Sequence, residues 1–282
     1  MDRMSKQEES IMLPGVYRAT KKDGTQYFRG SITHKSKHIS LGSFSSEQEA
    51  SDAYQLAHRI LHDSSLTLES YLDCPSRLPF QKWVILINFR DNGMYIKTPI
   101  YLRKNFFQYY FAIDDFLTFD IDDLFYYSTR SISRRGGHLF VADYGMQVNI
   151  LSRYGIKNYA VVGRDYRFVN GDTRDFRYAN IEIINRFHGV SHMEQDGKEY
   201  FEVKIHWNGD FLVGRYADET EAAVAYNKAA STLIQKGYIK EYPINYIEEL
   251  DGDEYHRIYK SVSISERIRS LTPLPAHTES RK

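Results

Sequence analysis

Apolar and polar positions recur in the same order twice along the chain. From Gly15 and again from Gly189 the sequence runs Gly-Val, a polar stretch ending in Asp-Gly, Tyr-Phe, and an Ile four residues on. A Gly ahead of an aromatic follows, then Glu, Ala and Ala-Tyr at helical spacing. Large and small side chains alternate around Asp23-Gly24 and Asn208-Gly209, both hairpin turn signals, so each unit reads as three short strands. The run from Ser46 to His62 then puts Ala50, Ala53, Tyr54, Ala57 and Leu61 on one helical stripe, and Thr220 to Leu233 does the same with Ala222, Ala223, Tyr226 and Ala230. The small alanines let each helix lie close on its sheet. Ser45 or Ser46, and Asp218 or Thr220, with acidic residues in the first turn, are the expected N-caps.

Between the two units, WVILINF from Trp83 predicts a strand. GGHLFV, MQVNILSRYG and NYAVVGRDYRFVNGD predict strands and turns, Asn170-Gly171 among them, leading into a helix from Thr173 to Asn185. Asp114, Asp115, Asp120, Asp122 and Asp123 are interleaved with Phe, Leu and Ile, without the Gly and terminal Glu of a calcium loop, and read as a solvated acidic face. Near the end, Tyr255, Ile258, Tyr259 and Val262 fall at helical spacing. Docking onto the preceding unit is the plain reading, and a dimer contact the alternative. Thr272 to Lys282 reads as a loose tail.

Composition narrows the function classes. The 282 residues suffice for two or three small domains, and 42% apolar with 15% aromatic residues supports packed cores. Lys plus Arg and Asp plus Glu both number 37, so any attraction to nucleic acid is local. The formal charge is −1 over residues 1–75, +5 over 76–186 and −4 over 187–282. Cys74 is the single cysteine, which excludes an internal disulfide framework and a Cys-based zinc site. The start, MDRMSKQEES, has no apolar core and no run approaches a membrane span, so the reading is cytoplasmic, nucleoid-associated when on DNA, with no membrane partner. His58 and His62 have a zinc-compatible spacing, but Arg59 stands where a HExxH glutamate would and no third ligand is apparent, so they read as solvent-facing. No nucleophile elbow, Walker loop or dinucleotide fingerprint occurs.

The repeated pattern resembles the Apetala-two/ethylene-response-factor DNA-binding domain. The residues that carry the likeness are Gly15-Val16, Phe28, Ile32, Leu41-Gly42, Phe44, Glu49-Ala50 and Ala53-Tyr54, and then Gly189-Val190, Phe201, Ile205, Gly214, Tyr216, Glu221-Ala222-Ala223 and Ala225-Tyr226. The resemblance implies a three-stranded antiparallel sheet backed by one helix, whose outer face enters the major groove of duplex DNA. By alternation, Phe28, Gly30 and Ile32 face the helix while Arg29, Ser31 and Thr33 point outward, joined by Tyr17, Ala19, His38 and Ser40. The family's arginines are missing at Tyr17, Ala19 and Thr33. Arg18, Lys21, Lys22, Lys35 and Lys37 crowd the strand ends where phosphates would lie. In the second copy Ser191, Met193, Glu202, Lys204, His206, Asp210 and Leu212 are the outward positions; its two acids oppose phosphate, so Lys204 and His206 are expected to make weak or partner-dependent DNA contact, with packing of this face on protein, such as a second subunit, as the alternative.

The stretch ahead of the second copy resembles an HNH homing-endonuclease motif, with Asp165-Tyr166, Asn170-Gly171-Asp172, Asp175-Phe176-Arg177 and Asn180-Ile181 in the family's order. The resemblance implies a ββα module in which Asp165 and Asn180 could hold Mg2+ and Arg164, Arg167 and Arg177 touch phosphates. Tyr166 replaces the histidine base, so no catalytic residue is assigned and no cofactor is required. The expected fold is α+β, organised as a tail (1–12), a first DNA-binding unit (13–75), a central degenerate HNH-like module with extra strands (76–186), a second DNA-binding unit (187–250) and a C-terminal helix with tail (251–282). The expected function is sequence-specific binding of double-stranded DNA, by a bacterial or phage transcriptional regulator derived from a homing endonuclease. An active HNH endonuclease and a protein-interaction module are the alternatives, with a homodimer through the second unit or the C-terminal helix as a further partner.

Overall fold

The computed structural model describes residues 12–74, 78–238 and 240–273, so the two expected tails lie almost wholly outside the described residues. The protein is of the α+β class. Its residues divide into two compact units, Met1–Val148 with Asp172–Asn180, and Asn149–Gly171 with Ile181–Lys282. The chain therefore passes from one unit to the other three times.

The first unit begins with strands β1 (Val16–Thr20), β2 (Gln26–His34) and β3 (Lys37–Phe44), an antiparallel sheet in that order. Helix α1 (Glu47–His62) backs it. Ser46 is the N-cap, its Oγ accepting from the Glu49 N–H at 3.2 Å, while the Glu49 carboxylate accepts from the Ser45 N–H at 3.1 Å. Ala50, Ala53 and Ala57 are buried and hold the helix close to Ile32, Ile39 and Leu41. WVILINF, expected as a strand, lies inside a helix, α2 (Phe80–Asn92). Pro79 precedes it and Gly93 closes it in the left-handed region (φ 68°), so both ends carry ordinary helix signals. An apolar run buried on all sides has no period that separates helix from strand. Phe80, Trp83, Leu86 and Ile87 share one core with α1 and the first sheet, so the expected boundary at residue 75 falls inside a packed body.

Beyond α2 come the antiparallel sheet of β4 (Ile100–Leu102), β5 (Phe106–Tyr110) and β6 (Phe116–Asp120), the short helix α3 (Leu124–Tyr127), and the sheet of β7 (Ile132–Arg135), β8 (His138–Asp143) and β9 (Met146–Asn149). Of the five aspartates expected on a solvated face, Asp114 and Asp122 are exposed. Asp115 pairs with Arg134, Asp120 accepts from the Tyr178 N–H at 2.7 Å, and Asp123 is buried. Residues 172–180 return to this unit, where a turn at Thr173–Arg174 leads into a single parallel bridge from Asp175 to Thr118 of β6: the Thr118 N–H donates to the Arg174 carbonyl (2.9 Å) and the Phe176 N–H to the Thr118 carbonyl (2.8 Å).

In the second unit β10 (Tyr166–Phe168) pairs antiparallel with β11 (Ile181–Ile183). The helix expected over Thr173–Asn185 is therefore absent: its first part is spent on β6, Tyr178–Asn180 make one 3-10 turn, and the alternating Ile-Glu-Ile completes a ladder with β10. The HNH-like stretch is a ββ hairpin rather than ββα. The second repeat follows as β12 (Val190–Gln195), β13 (Lys198–His206) and β14 (Asp210–Tyr216), backed by α4 (Glu219–Gln235) with Asp218 as N-cap. Helices α5 (Gly252–Ser261) and α6 (Glu266–Arg269) complete the unit. Tyr255, Ile258 and Tyr259 pack on the core of this unit, so the apolar stripe of α5 is covered by its own chain.

The two copies agree in detail. Each sheet shifts register at the same place, between Gly30 and Ser31 and between Val203 and Lys204. The Ser31 N–H reaches the Gly15 carbonyl at 2.9 Å and the Lys204 N–H reaches the Gly189 carbonyl at 2.8 Å. Gly15 (φ 72°) and Gly189 (φ 73°) each lie flat on a tyrosine ring, where a Cβ would come to 2.1 Å from Tyr54 and 2.5 Å from Tyr226. That close approach is why both copies need Gly before Val and Tyr on the helix.

Candidate nucleic-acid interface

Register decides which side chains share a face of the first sheet. Tyr17, Arg29 and Ser43 stand in one cross-strand row, Thr33 and His38 in another, and Ser31 opposite Ser40 between them. Tyr17, Arg29, Thr33, His38, Ser40 and Ser43 are exposed on this side. Ser31 has the expected parity but is buried, because the chain doubles up beside it at the register shift. Lys21 and Lys22 occupy the turn at one end of β2, and Lys35 and Lys37 flank the turn at the other. Lys35 and Ser36 take positive φ there (43° and 61°). Arg18 falls on the opposite parity and lies over the Phe28 ring at 5.9 Å. Among the described residues none of Arg18, Lys21, Lys22, Arg29, Lys35 and Lys37 forms an ion pair.

Arg29 is held by a neighbour that sequence reading missed. Its Nε and Nη2 both donate to the Tyr27 hydroxyl, at 3.1 and 2.6 Å. Tyr27 is two positions along the same strand, so its parity was available as a signal. Lys35 lies 5.9 Å from the Phe89 ring centroid, on α2. Beside it His34 meets the edges of Phe89 and His62, and His58 stacks on His62 with centroids 4.1 Å apart. Among the described residues no group of three or more His, Cys, Asp or Glu side chains is arranged to hold a metal ion.

Burial first, then the charges of His62, Lys35 and His58, hold the His34 imidazole below its ordinary value of 6.5. The folded chain thus disfavours protonation that the unfolded chain accepts. The stabilisation is complete above pH of about 6.5 and is lost progressively as pH falls through that value towards the lower folded one. Thermal denaturation of the full chain between pH 7.5 and 5.0 is expected to show falling stability, with a smaller fall in His34→Gln. Equal slopes for the two proteins would place the titrating groups elsewhere.

The outward face of the second sheet has the predicted members and a different electrostatic character. Glu202, expected to oppose phosphate, is buried between two cations: Lys204 Nζ donates at 2.7 Å and Arg215 Nη2 lies at 3.1 Å. The hydrogen bond from Lys204, followed by that from Arg215, outweighs burial and holds the Glu202 carboxyl below the usual range. The Lys204 ammonium is raised by the same contact. His206 Nδ1 is 2.7 Å from the Asp210 carboxylate. Arg215 was not foreseen, because its place opposite Glu202 depends on the register of β14. A cleft of about 330 Å3 opens beside this face, lined by Tyr159, Arg164, Asp165, His188, Lys204 and Asp210. Its cations face carboxylates and leave no net excess of positive charge.

The arginines expected to track phosphates through the middle of the chain are engaged locally. Arg164 pairs with Asp165 at 2.7 Å and Arg167 with Glu182 at 2.8 Å in the second unit, while Arg177 pairs with Asp175 at 2.6 Å in the first. The candidate metal positions also divide, Asp165 to the second unit and Asn180 to the first. Asp165 accepts from the Val161 N–H, Arg164 and Asn185, which overcome the opposing effect of burial and keep its carboxyl below the usual range. Asn180 Nδ2 donates to the Asp175 carbonyl at 2.8 Å. Tyr166 is buried, and burial raises its phenol further from neutrality. Comparison with protein-family models, curated proteins and solved structures finds no match to the chain.

Proposed function

We propose that this chain is a sequence-specific duplex-DNA-binding protein, acting as a transcriptional regulator, and that the outward face of the β1–β2–β3 sheet is its DNA interface. The observation that carries the reading is the contrast between the two copies. Six cations of the first copy stand on or at the ends of its sheet without an ion-pair partner among the described residues, whereas Lys204 and Arg215 of the second share Glu202. A two-ended lysine arrangement with short hydroxyl side chains between its ends suits a ribbon whose ends meet phosphates and whose centre meets base edges. The likeness of the HNH-like stretch supports descent from a bacterial or phage homing endonuclease, with the stretch retained as scaffold.

The test is selection of bound sequences from random duplex pools by the full chain, followed by affinity measurements across a salt series. Replacing Lys35 and Lys37 together with alanine is expected to weaken binding to all sequences and to lower the salt slope by roughly two, near one per lost phosphate contact. An unchanged slope would put the interface elsewhere, and failure to retain any duplex at low salt would end the DNA-binding reading.

A further inference from the structure

A guanidinium has two hydrogen-bonding edges, and in Arg29 one of them is already taken. Nε and Nη2 form the side-on edge, and both converge on the Tyr27 hydroxyl at 3.1 and 2.6 Å. The guanidinium carbon also lies 5.4 Å from the Tyr27 ring centroid. The other edge, formed by Nη1 and the second hydrogen of Nη2, makes no hydrogen bond among the described residues. It offers two parallel N–H donors and no acceptor.

Place on the sheet says what that fork meets. Arg29 is on the central strand, with Tyr17 and Ser43 opposite it on either side, and the lysines lie beyond it at the two turns. Ser31, Ser40 and Ser43 are short enough to let a partner approach the middle of the face. A groove lying along the sheet would bring phosphates to the turns and base edges to the centre. Among base edges in the major groove only guanine presents two adjacent acceptors, O6 and N7; adenine pairs an acceptor with a donor, which an all-donor fork cannot satisfy.

We infer that Arg29 reads a single guanine near the middle of the target site, and that Tyr27 is the positioning residue that presents its free fork. The inference rests on the DNA-binding reading above. Tyr27 holds the side chain in one geometry before DNA arrives, so less rotamer freedom is lost on binding. Arg29→Lys keeps the charge and loses the fork. Tyr27→Phe keeps the ring beneath the guanidinium and loses the oxygen that orients it.

The experiment selects sites from random duplex pools with the full-length wild type, Arg29→Lys and Tyr27→Phe. It then measures affinity for the selected site with guanine or 7-deazaguanine at each guanine position, across a salt series. Wild type is expected to hold one guanine against the other bases by between about five- and a hundredfold. 7-Deazaguanine at that position should cost a comparable factor in wild type and a smaller one in Arg29→Lys, because a single ammonium lacks the paired planar donors that engage O6 and N7 together. Tyr27→Phe should lose several-fold of the same preference while its salt slope stays at the wild-type value, an outcome that general destabilisation would not give.

Absence of duplex binding by wild type would overturn the DNA-binding reading itself. Binding with a defined preference that survives both substitutions would overturn this inference alone and assign base reading to other residues. Loss of the preference in Arg29→Lys with full retention in Tyr27→Phe would remove the positioning role from Tyr27.

Discussion

Arg90→Met is expected to destabilise the first unit by about 3 kcal/mol, since a hydrogen bond from a charged donor contributes roughly 1.5–3 kcal/mol and several are lost together. Arg90 lies on α2 with its side chain only 12% exposed. Nη1 donates to the Ile60 and Asp63 carbonyls at 3.0 and 2.7 Å, and Nη2 to the Leu66 carbonyl at 2.8 Å. These oxygens belong to the last turn of α1 and the chain just beyond it, where a helix has no internal donors left. Methionine fills similar volume and supplies none. Arg90→Lys restores the charge at a single point and should recover only part of the loss. The adjacent residue, Phe89, underlies both His34 and Lys35, so the damage should reach the lysine turn of the proposed interface. Denaturant unfolding of the full chain, followed by probes in each unit, checks this. Unfolding curves for the methionine variant that overlay wild type would show that water replaces the arginine at no cost.

Asn227→Leu should be at least as damaging to the second unit, by about 3–4 kcal/mol, because stranding a buried donor or acceptor costs roughly 1–3 kcal/mol each. Asn227 is buried on α4 and serves as a stand-in strand. Its Nδ2 donates to the Asn245 carbonyl and its Oδ1 accepts from the Asn245 N–H, both at 2.8 Å. Asn245 in turn accepts from the His188 N–H with Oδ1 (2.8 Å) and donates to the His188 carbonyl with Nδ2 (3.1 Å). Two side-chain amides thus carry a hydrogen-bond ladder from the helix to the entrance of β12 through a segment that has no regular structure. Leucine matches asparagine in shape but leaves the Asn245 backbone unpaired. Asn227→Asp keeps the acceptor, removes the donor and sets a carboxylate against a carbonyl, so it should fail as well. Circular dichroism melting of both variants is the measurement. A melting temperature within a degree or two of wild type in Asn227→Leu would mean that residues 240–247 find other partners.

The repeat was legible because its demands are local and steric. Gly15 and Gly189 must lie flat on Tyr54 and Tyr226, and the alanines of α1 and α4 must clear a sheet, so those residues stand at fixed spacing in both copies. The outward face followed from alternation, with Ser31 displaced only because a register shift has no reliable sequence signature. WVILINF was illegible for the opposite reason: a helix buried on every side has erased its own period. The segment 172–180 was misread because its bridge is to Thr118 on β6, more than fifty residues earlier, and nothing nearby announces it. Charge was the least legible level. On the first copy Arg29 was foreseen on the outward face and five more cations at the strand ends and turns, but the neutralisation of the second depends on Arg215 meeting Glu202 across a shifted ladder.

The threefold passage of the chain between its units means that no single break leaves both of them whole. A single break at Asn170-Gly171 would leave an amino-terminal fragment lacking Asp172–Asn180, the strip bridged to β6 at Thr118. The carboxy-terminal fragment would lack β10, the partner of β11. Each fragment keeps the missing piece of the other, so a nicked molecule is held together by fragment complementation rather than by a linker. A gene fragment for residues 1–180 encodes the whole first unit but carries 149–171 of the second with it, and one for 149–282 encodes the whole second unit but carries 172–180 of the first. Shuffling of the kind that moves independent domains between proteins could not transfer one unit without a strip of the other.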